Sequence, residues 1–451
     1  MRITFVGGAG SVTGASYLFE EGSTRILVDC GLRQGGNFCE SVNFSPFPYE
    51  PKTLDSVFVT HAHIDHTGRL PQLPKHGFSG AVYSTPPTRD FTELLLFDSE
   101  HLLREDAEKC GELPLYEATD IVALRRLWRA VPYHERVRVG PFTIEFVNAG
   151  HVLGSASLII SAGSTTVVVS GDLGNNPAPF ITGTEYPVRA DYALIESAYG
   201  NRVHENPRDR KQELVRDIEE VAKKRGTLLI PAFALERTQE MLYELNDLVE
   251  RSAVPRIPVF VDSPLAIKLT AVYQRYVADP AYFNAEAIER LRGGDAIFDF
   301  PGLTMCLTTE ESKAINGVPG SKIVIAGAGM SQGGRIIHHE KRYLPDANST
   351  ILFVGYQAEG SLGRKILDGE RIVKIDGEEV PVLASVHAIS GYSAHADRPQ
   401  LLAWLKPMAK SLREVFVVQG DGDQANPFAA AVAAELRVKA RVPAPGETVV
   451  L

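Results

Sequence analysis

The chain of 451 residues has no run of the roughly 18 apolar residues that a bilayer-spanning helix needs, so no membrane is expected. Cysteine is scarce. The 4 present, Cys30, Cys39, Cys110 and Cys306, are too few and too irregularly spaced for a disulfide framework or a zinc ribbon, and reduced structural thiols are expected. Positive charge is short as well: 46 Lys and Arg stand against 56 Asp and Glu, a net charge of −10. A polyanionic partner would therefore have to be held by a local patch or by metal ions. The opening MRITFVGGAG lacks the long apolar core and small-residue cleavage signature of a signal peptide, so it reads as a first strand and the expected location is cytoplasmic.

What is present is the balance of an ordinary globular protein, 44% hydrophobic and 23% charged, long enough for two or three compact units at about 150 residues each. Up to about residue 200, short β-rich runs alternate with Gly-containing turns: 2–6, 15–20, 25–28, 56–60, 142–148, 165–170 and 192–195. The Leu-rich, charged stretch 89–131 has helical spacing and is expected to cover one face of that sheet. From Asn206-Pro207, an N-cap and first-turn pair, the rhythm becomes a strict alternation of strand and helix, the signature of a parallel α/β sheet. After residue 382, EVPVLASVHAISGY and REVFVVQGD read as strands carrying polar residues like those of the first part. The expectation is an inserted domain: 1–203 and 383–451 form one unit, interrupted by a second at 204–382.

The densest chemical signal is His61-Ala62-His63-Ile64-Asp65-His66, at the end of the apolar strand Ser56 to Thr60. Only 12 histidines occur in the chain, and three of them fall in this hexad. Four ligand-type side chains within six residues cannot all share one face of a regular element, so the backbone has to wrap around a common centre. Imidazole and carboxylate suit zinc, and a run this dense can serve two ions. Asp29, His151, Asp172 and Glu196 each follow an apolar strand in the same way, and strand ends on one sheet edge converge on ligands.

The hexad, the upstream Asp29, the downstream His151 and Ser170-Gly171-Asp172 resemble the metallo-β-lactamase superfamily, whose fold is an αββα sandwich. Glu196-Ser197-Ala198-Tyr199-Gly200, PAFALERTQE at 231–240, GAGMSQGGRIIHH at 327–339 and SGYSAHAD at 390–397 are similar to its β-CASP branch of nucleic-acid nucleases, which carries an inserted parallel α/β domain. The resemblance implies one metal site of His61, His63 and His151, with Asp172 bridging to a second that holds Asp65 and His66, and Asp29 supporting the ligands by hydrogen bonding. It also implies Zn2+ at two sites, with Mn2+ as the alternative ion. The resemblance implies Asp65, Glu196 and His395 as catalytic residues, His395 being oriented by Glu196 to protonate a departing 3′ oxygen.

The loop Gly327 to Arg335 follows an apolar strand and opens a helix, the placing of an anion seat. A dinucleotide fingerprint would want G-x-G-x-x-G, and Gly333 falls one residue late. Arg237, Ser331, Arg335 and Ser393 are the candidate RNA contacts. His338 and His339 point to different helix faces and read as structural. One departure from the family stands out: where RNA-processing members carry Val-His-Gly-Glu, this chain has Val418-Gln419-Gly420-Asp421. A neutral amide is a weak zinc ligand, so the second site is expected to be loose or partly empty unless Asp421 or Asp423 moves in. The expected function is an endoribonuclease cutting single-stranded RNA in the cleft between the two domains, as a monomer or a homodimer. The alternatives are a DNA nuclease of the same chemistry, a catalytically weakened RNA-binding homologue, and a small-molecule lactonase or thioesterase.

Overall fold

A computed structural model describes every residue except 36–38, 40–41, 205–206 and 359, and every side chain except those and 207–209 and 390. Asn206, the expected N-cap, lies outside the described residues. The chain forms two compact units, one of residues 1–178, 182–203 and 395–451, the other of 179–181 and 204–394.

The first unit contains two seven-stranded sheets. One has β1 (Arg2–Gly7), β2 (Ser16–Glu21), β3 (Thr24–Val28), β4 (Ser56–Phe58), β5 (Ala81–Ser84), β6 (Trp128–Ala130) and β22 (Thr448–Val450) in the order β22-β1-β2-β3-β4-β5-β6. The other has β7 (Arg136–Val139), β8 (Phe142–Asn148), β9 (Ala156–Ala162), β10 (Thr165–Val169), β11 (Tyr192–Ile195), β20 (Glu414–Val417) and β21 (Lys439–Arg441) in the order β21-β20-β11-β10-β9-β8-β7.

Strand periodicity explains the layering, because alternate residues face opposite sides of a sheet. Ile26, Val28 and Phe58 of the first sheet meet Phe146, Val167, Val169 and Phe416 of the second in one shared core. Their sequence neighbours Leu27 and Val57 pack outward with Leu96, Leu103 and Leu124 of the helices Pro86–Cys110 and Ala118–Leu127. On the far side Val168, Val415 and Val417 pack with Leu401, Trp404 and Phe428 of Arg398–Leu405 and Gly422–Ala431. Helix, sheet, sheet and helix layers result. Strands buried on both faces read as continuous apolar runs, as TVVV and EVFV do.

The second unit is built on a six-stranded sheet of β12 (Thr227–Pro231), β13 (Val259–Asp262), β14 (Leu303–Met305), β15 (Lys322–Ala326), β16 (Thr350–Phe353) and β19 (Ser385–Ala388), ordered β14-β13-β15-β12-β16-β19. Its described pairings are all parallel. A separate antiparallel hairpin joins β17 (Ile372–Ile375) to β18 (Glu378–Pro381).

Three expectations need correction. The return to the first unit comes at His395 and not at 383, because β19 pairs with β16 and so extends the second unit's sheet. The helical stretch 89–131 ends at Leu127: Trp128 donates its indole N–H to Ser84 Oγ at 2.9 Å, and Trp128–Ala130 pairs with β5 as an edge strand. Cys39 and Cys110 are not free thiols. Cys39 lies against the C-terminal end of helix Pro86–Cys110, which puts their Cα atoms 5.3 Å apart and joins them in a disulfide. Cys30 and Cys306 are buried free thiols. Among the described residues no helix is long and apolar enough to cross a membrane.

Candidate metal centre

The C-terminal ends of β3, β4, β8, β10, β11 and β20 deliver Asp29, the hexad, His151, Asp172, Glu196 and Gln419 in turn. After β4 the chain runs through Thr60 and His61 into the short helix Ile64–Thr67, for which His63 is the N-cap. Backbone hydrogen bonds from Ala15 N to Asp65 O (2.9 Å), Cys30 N to His66 O (2.8 Å) and Leu32 N to Ile64 O (3.0 Å) fasten this helix. Gly31 permits the crossing: a Cβ there would sit 1.6 Å from Asp65 O.

Ligand-type atoms gather in three groups, in each of which one atom per residue lies within 4.8 Å of the others: His61, His63, His151 and Asp172; Asp65, His66 and Asp172; and Asp172, Glu196 and His395. In the first, His63 Nδ1 lies 3.0 Å from His61 Nε2 and 3.2 Å from His151 Nε2. Asp172 Oδ2 closes the group at 3.5 Å from His61 Nε2 and 3.6 Å from His151 Nε2. Three imidazoles and one carboxylate converging this closely are the donor set of a zinc-type ion, and the residues fit one.

Asp29 sets the orientation of this cluster. Fully buried, it accepts hydrogen bonds at Oδ1 from Thr60 N and at Oδ2 from Thr60 Oγ1 and His66 Nδ1, each at 2.8 Å. Because the Thr60 hydroxyl proton goes to Asp29, Thr60 Oγ1 accepts from His61 Nδ1 at 3.1 Å. His61 and His66 thus spend their Nδ1–H on the support and turn Nε2 inward. Thr60 follows directly from its place before the hexad, yet sequence reasoning passed over it.

Gln419 is 2% exposed and has φ +49. Its side-chain nitrogen lies 2.6 Å from Asp172 Oδ1 and 2.9 Å from His66 Nε2, and its oxygen accepts from Tyr17 OH at 3.3 Å. Despite burial, Asp172, Asp29 and Asp65 favour the His66 imidazolium. An amide nitrogen can only donate, however, so its approach requires an unprotonated Nε2, and the geometry decides for the neutral ring. Tyr17 lies on β2, and no sequence signal marked it. Asp421 and Asp423 are exposed, and neither belongs to the three ligand groups.

His395 enters the cluster by a β-bridge with Gly174 and by the bond from Ala396 N to Leu173 O at 2.8 Å. Its Nδ1 lies 3.3 Å from Glu196 Oε1. Glu196 is itself held by Leu173 N at 2.7 Å and Ala198 N at 3.1 Å. Burial disfavours the His395 imidazolium, but Glu196, Asp172 and Asp65 outweigh it and hold its pKa up to about 9. Burial raises Glu196, with His395 opposing. It also raises Asp65, with Asp172 reinforcing the shift.

The four candidate RNA contacts all lie in the second unit. Arg237 is buried and paired with Glu240. Ser331, at φ +58, donates to buried Glu340. Arg335 reaches Asp262 Oδ1 at 2.6 Å and the carbonyls of Cys306 and Leu307 at 3.0 and 2.8 Å. His339 binds the other Asp262 oxygen at 2.7 Å. Arg335 and His339 thus share a buried carboxylate. Ser393 follows the short 3-10 turn Ser390–Tyr392.

Comparison with known families places three matches along the chain: the metallo-beta-lactamase superfamily at 9–231, the Beta-Casp domain at 238–366 and a Zn-dependent metallo-hydrolase RNA specificity domain at 379–443. Ribonuclease TTHA0252 of Thermus thermophilus is 40% identical over 406 residues, covering 90% of this chain and 91% of that protein. Transcription termination factor FttA of Methanosarcina mazei is 30% identical over 100% of this chain and 71% of its own length, and that of Methanocaldococcus jannaschii is 31% identical over 98% and 70%. A solved protein of unknown function from Enterococcus faecalis V583 matches with TM-score 0.55 at 13% identity, covering 100% of this chain and 99% of that one, which bears on the fold alone. With the ligand set of the hexad, His151 and Asp172 at the edge of an αββα sandwich, the chain belongs to the metallo-β-lactamase superfamily, in its β-CASP branch.

Proposed function

We propose that this protein is a zinc-dependent endoribonuclease that hydrolyses phosphodiester bonds of single-stranded RNA, leaving 5′-phosphate and 3′-hydroxyl ends, with Mn2+ as an alternative ion. The observation that carries the reading is Asp172, which belongs both to the four-ligand group and to the group with Glu196 and His395. One carboxylate thereby joins an ion seat to a candidate proton donor. RNA as substrate is supported by the RNA specificity match at 379–443 and by the ribonuclease relative.

His61, His63, His151 and Asp172 would hold the ion. Once bound, a divalent ion lowers the pKa of a nearby water and offsets charge on the phosphate. Asp65, its carboxyl raised by burial, takes up the proton of the attacking water at its carboxylate. His395, protonated at neutral pH and oriented through Nδ1 by Glu196, gives a proton to the departing 3′ oxygen. Glu196 keeps the imidazolium charged and aimed, and its own two backbone hydrogen bonds fix the carboxylate.

The test is a denaturing gel of 5′-labelled single-stranded RNA and its deoxy counterpart, incubated with zinc-loaded, manganese-loaded and chelated protein. Metal-dependent internal fragments from the ribo strand are expected. Equal cutting of both strands would make this a DNA-tolerant nuclease. Binding without cutting at every metal concentration would favour a second reading, a weakened RNA-binding homologue, which the amide of Gln419 across His66 and Asp172 makes worth testing.

A further inference from the structure

In the second ligand group, Asp65, His66 and Asp172, two of the atoms an ion would need are already capped. His66 donates through Nδ1 to Asp29, which leaves one lone pair at Nε2. An ion in this group would need that lone pair together with Asp172 Oδ1, and the two atoms are 3.2 Å apart. The Gln419 nitrogen lies 2.9 Å from the first and 2.6 Å from the second. A zinc-type ion on the same pair would stand about 2.0 to 2.2 Å from each, in the volume the amide nitrogen fills.

The amide is held in this orientation on every side. Tyr17 OH donates to its oxygen at 3.3 Å. Turned over, that oxygen would face the Asp172 carboxylate oxygen at the distance the nitrogen now takes, which is repulsive. Gln419 N donates to Gly8 O at 2.6 Å, its carbonyl accepts from Ser197 N at 3.4 Å, and the side chain has little solvent to swing into. Asp65 comes no closer to His66 Nε2 than 3.9 Å at Oδ2. Asp172 is divided: Oδ2 faces His61 and His151, while Oδ1 faces the amide.

We infer that the centre of this chain holds one ion, at His61, His63, His151 and Asp172, and that the Gln419 carboxamide takes the place of a second, its NH2 group capping His66 Nε2 and Asp172 Oδ1. The amide supplies partial positive charge to the lone pairs where a cation would supply full charge, and it does so without binding equilibrium. The inference rests on the metal-hydrolase reading only in requiring one ion. It leaves the choice of RNA, DNA or neither untouched.

The experiment is a titration of chelated, dialysed full-length protein with Mn2+ and with Zn2+, read by calorimetry, elemental analysis and, for manganese, electron paramagnetic resonance. One ion per chain and an uncoupled manganese spectrum are expected. Gln419→His, which trades the capping donor for an imidazole ligand, should bind a second ion and show a coupled spectrum. Asp65→Asn covers the case in which Gln419→His does not fold. Because Asp65 holds no ion in this scheme, that variant should keep the one-ion stoichiometry of the parent. Two ions per unmodified chain, loss of an ion in Asp65→Asn, or a folded Gln419→His that still binds only one would each overturn the inference. A protein that binds no ion would overturn the metal reading with it, whereas failure to cut RNA by a protein holding one ion would strike the proposed activity alone.

Discussion

Replacing Asp29 with Asn removes one oxygen and one charge from a fully buried side chain and changes little else. In the native protein Oδ2 accepts from both Thr60 Oγ1 and His66 Nδ1, while Oδ1 accepts from Thr60 N, all at 2.8 Å. An Asn can keep its oxygen toward only one side, so its NH2 group must face donors on the other. Kept toward Thr60 Oγ1 and His66, the oxygen retains two bonds and gives up the one from Thr60 N. A hydrogen bond to a charged group is worth about 1.5 to 3 kcal/mol, so the variant loses at least that much stability, and the two remaining bonds lose their charge assistance. The damage passes to the ligands, because the contacts that hold Thr60 and turn His61 and His66 Nε2 inward no longer rest on a charged acceptor. Loss of such a support lowers metal affinity by about 10- to 100-fold. Thermal unfolding of the chelated protein and calorimetric titration with Zn2+ measure the two effects separately. A melting temperature within about 1 °C of the parent, where this loss should shift it by roughly 5 °C, would refute the stability argument. Unchanged zinc affinity would refute the claim that Asp29 orients the ligands.

Three further outcomes are expected. His395→Ala should slow RNA cleavage by about 10²- to 10⁴-fold while metal content stays at the parent value, and a parallel loss of bound ion would show that His395 acts as a ligand instead. Glu340 is fully buried and burial holds its carboxyl up to about 8, from 4.5. Its contribution to stability is therefore complete below the unfolded value and is lost as pH rises through the folded one, a fall on the order of 5 kcal/mol. Glu340→Gln should flatten that part of the profile, and parallel pH profiles of melting for variant and parent would sink the argument. In denaturant without reductant two thiols should react with a thiol reagent, those of Cys30 and Cys306, and reduction should lower stability by about 4 kcal/mol for a bridge separated by 71 residues. Four reactive thiols would mean that Cys39 and Cys110 are not joined.

The fold was readable where physics is local. Short apolar runs located β1, β3, β8, β10 and β11 because each buries its apolar residues and ends in a turn. Among the strands passed over, β6 and β7 fail that test in different ways. β6 is three residues long and directly continues a helix, and β7 is the alternating RVRV of a half-exposed edge. β19 misled for another reason. Its sequence SVHA carries a polar residue, as the first unit's strands do at their ends, but pairing with β16 decides its unit, and pairing is not written in four residues. The disulfide is non-local too: 71 residues separate Cys39 from Cys110, and nothing in the local sequence of either marks the other as its partner.

At the site, residue type and strand-end position were enough to pick out the side chains that converge, because a parallel edge collects strand ends. Residue type was a poorer guide to the phosphate candidates. Arginine suits an anion anywhere, but Arg335 is already bound to Asp262 and two carbonyls, and Arg237 to Glu240. Whether a charged group is free for a ligand depends on neighbours from distant segments, here β13 and the loop after β14 for Arg335. Gln419 shows the same limit from the other side. The sequence marked it as a poor ligand, which describes a weakened site. Only the convergence of Tyr17, His66 and Asp172 on one amide turns a missing ligand into a hydrogen-bonded cap, and so changes the expected result from weak second binding to none.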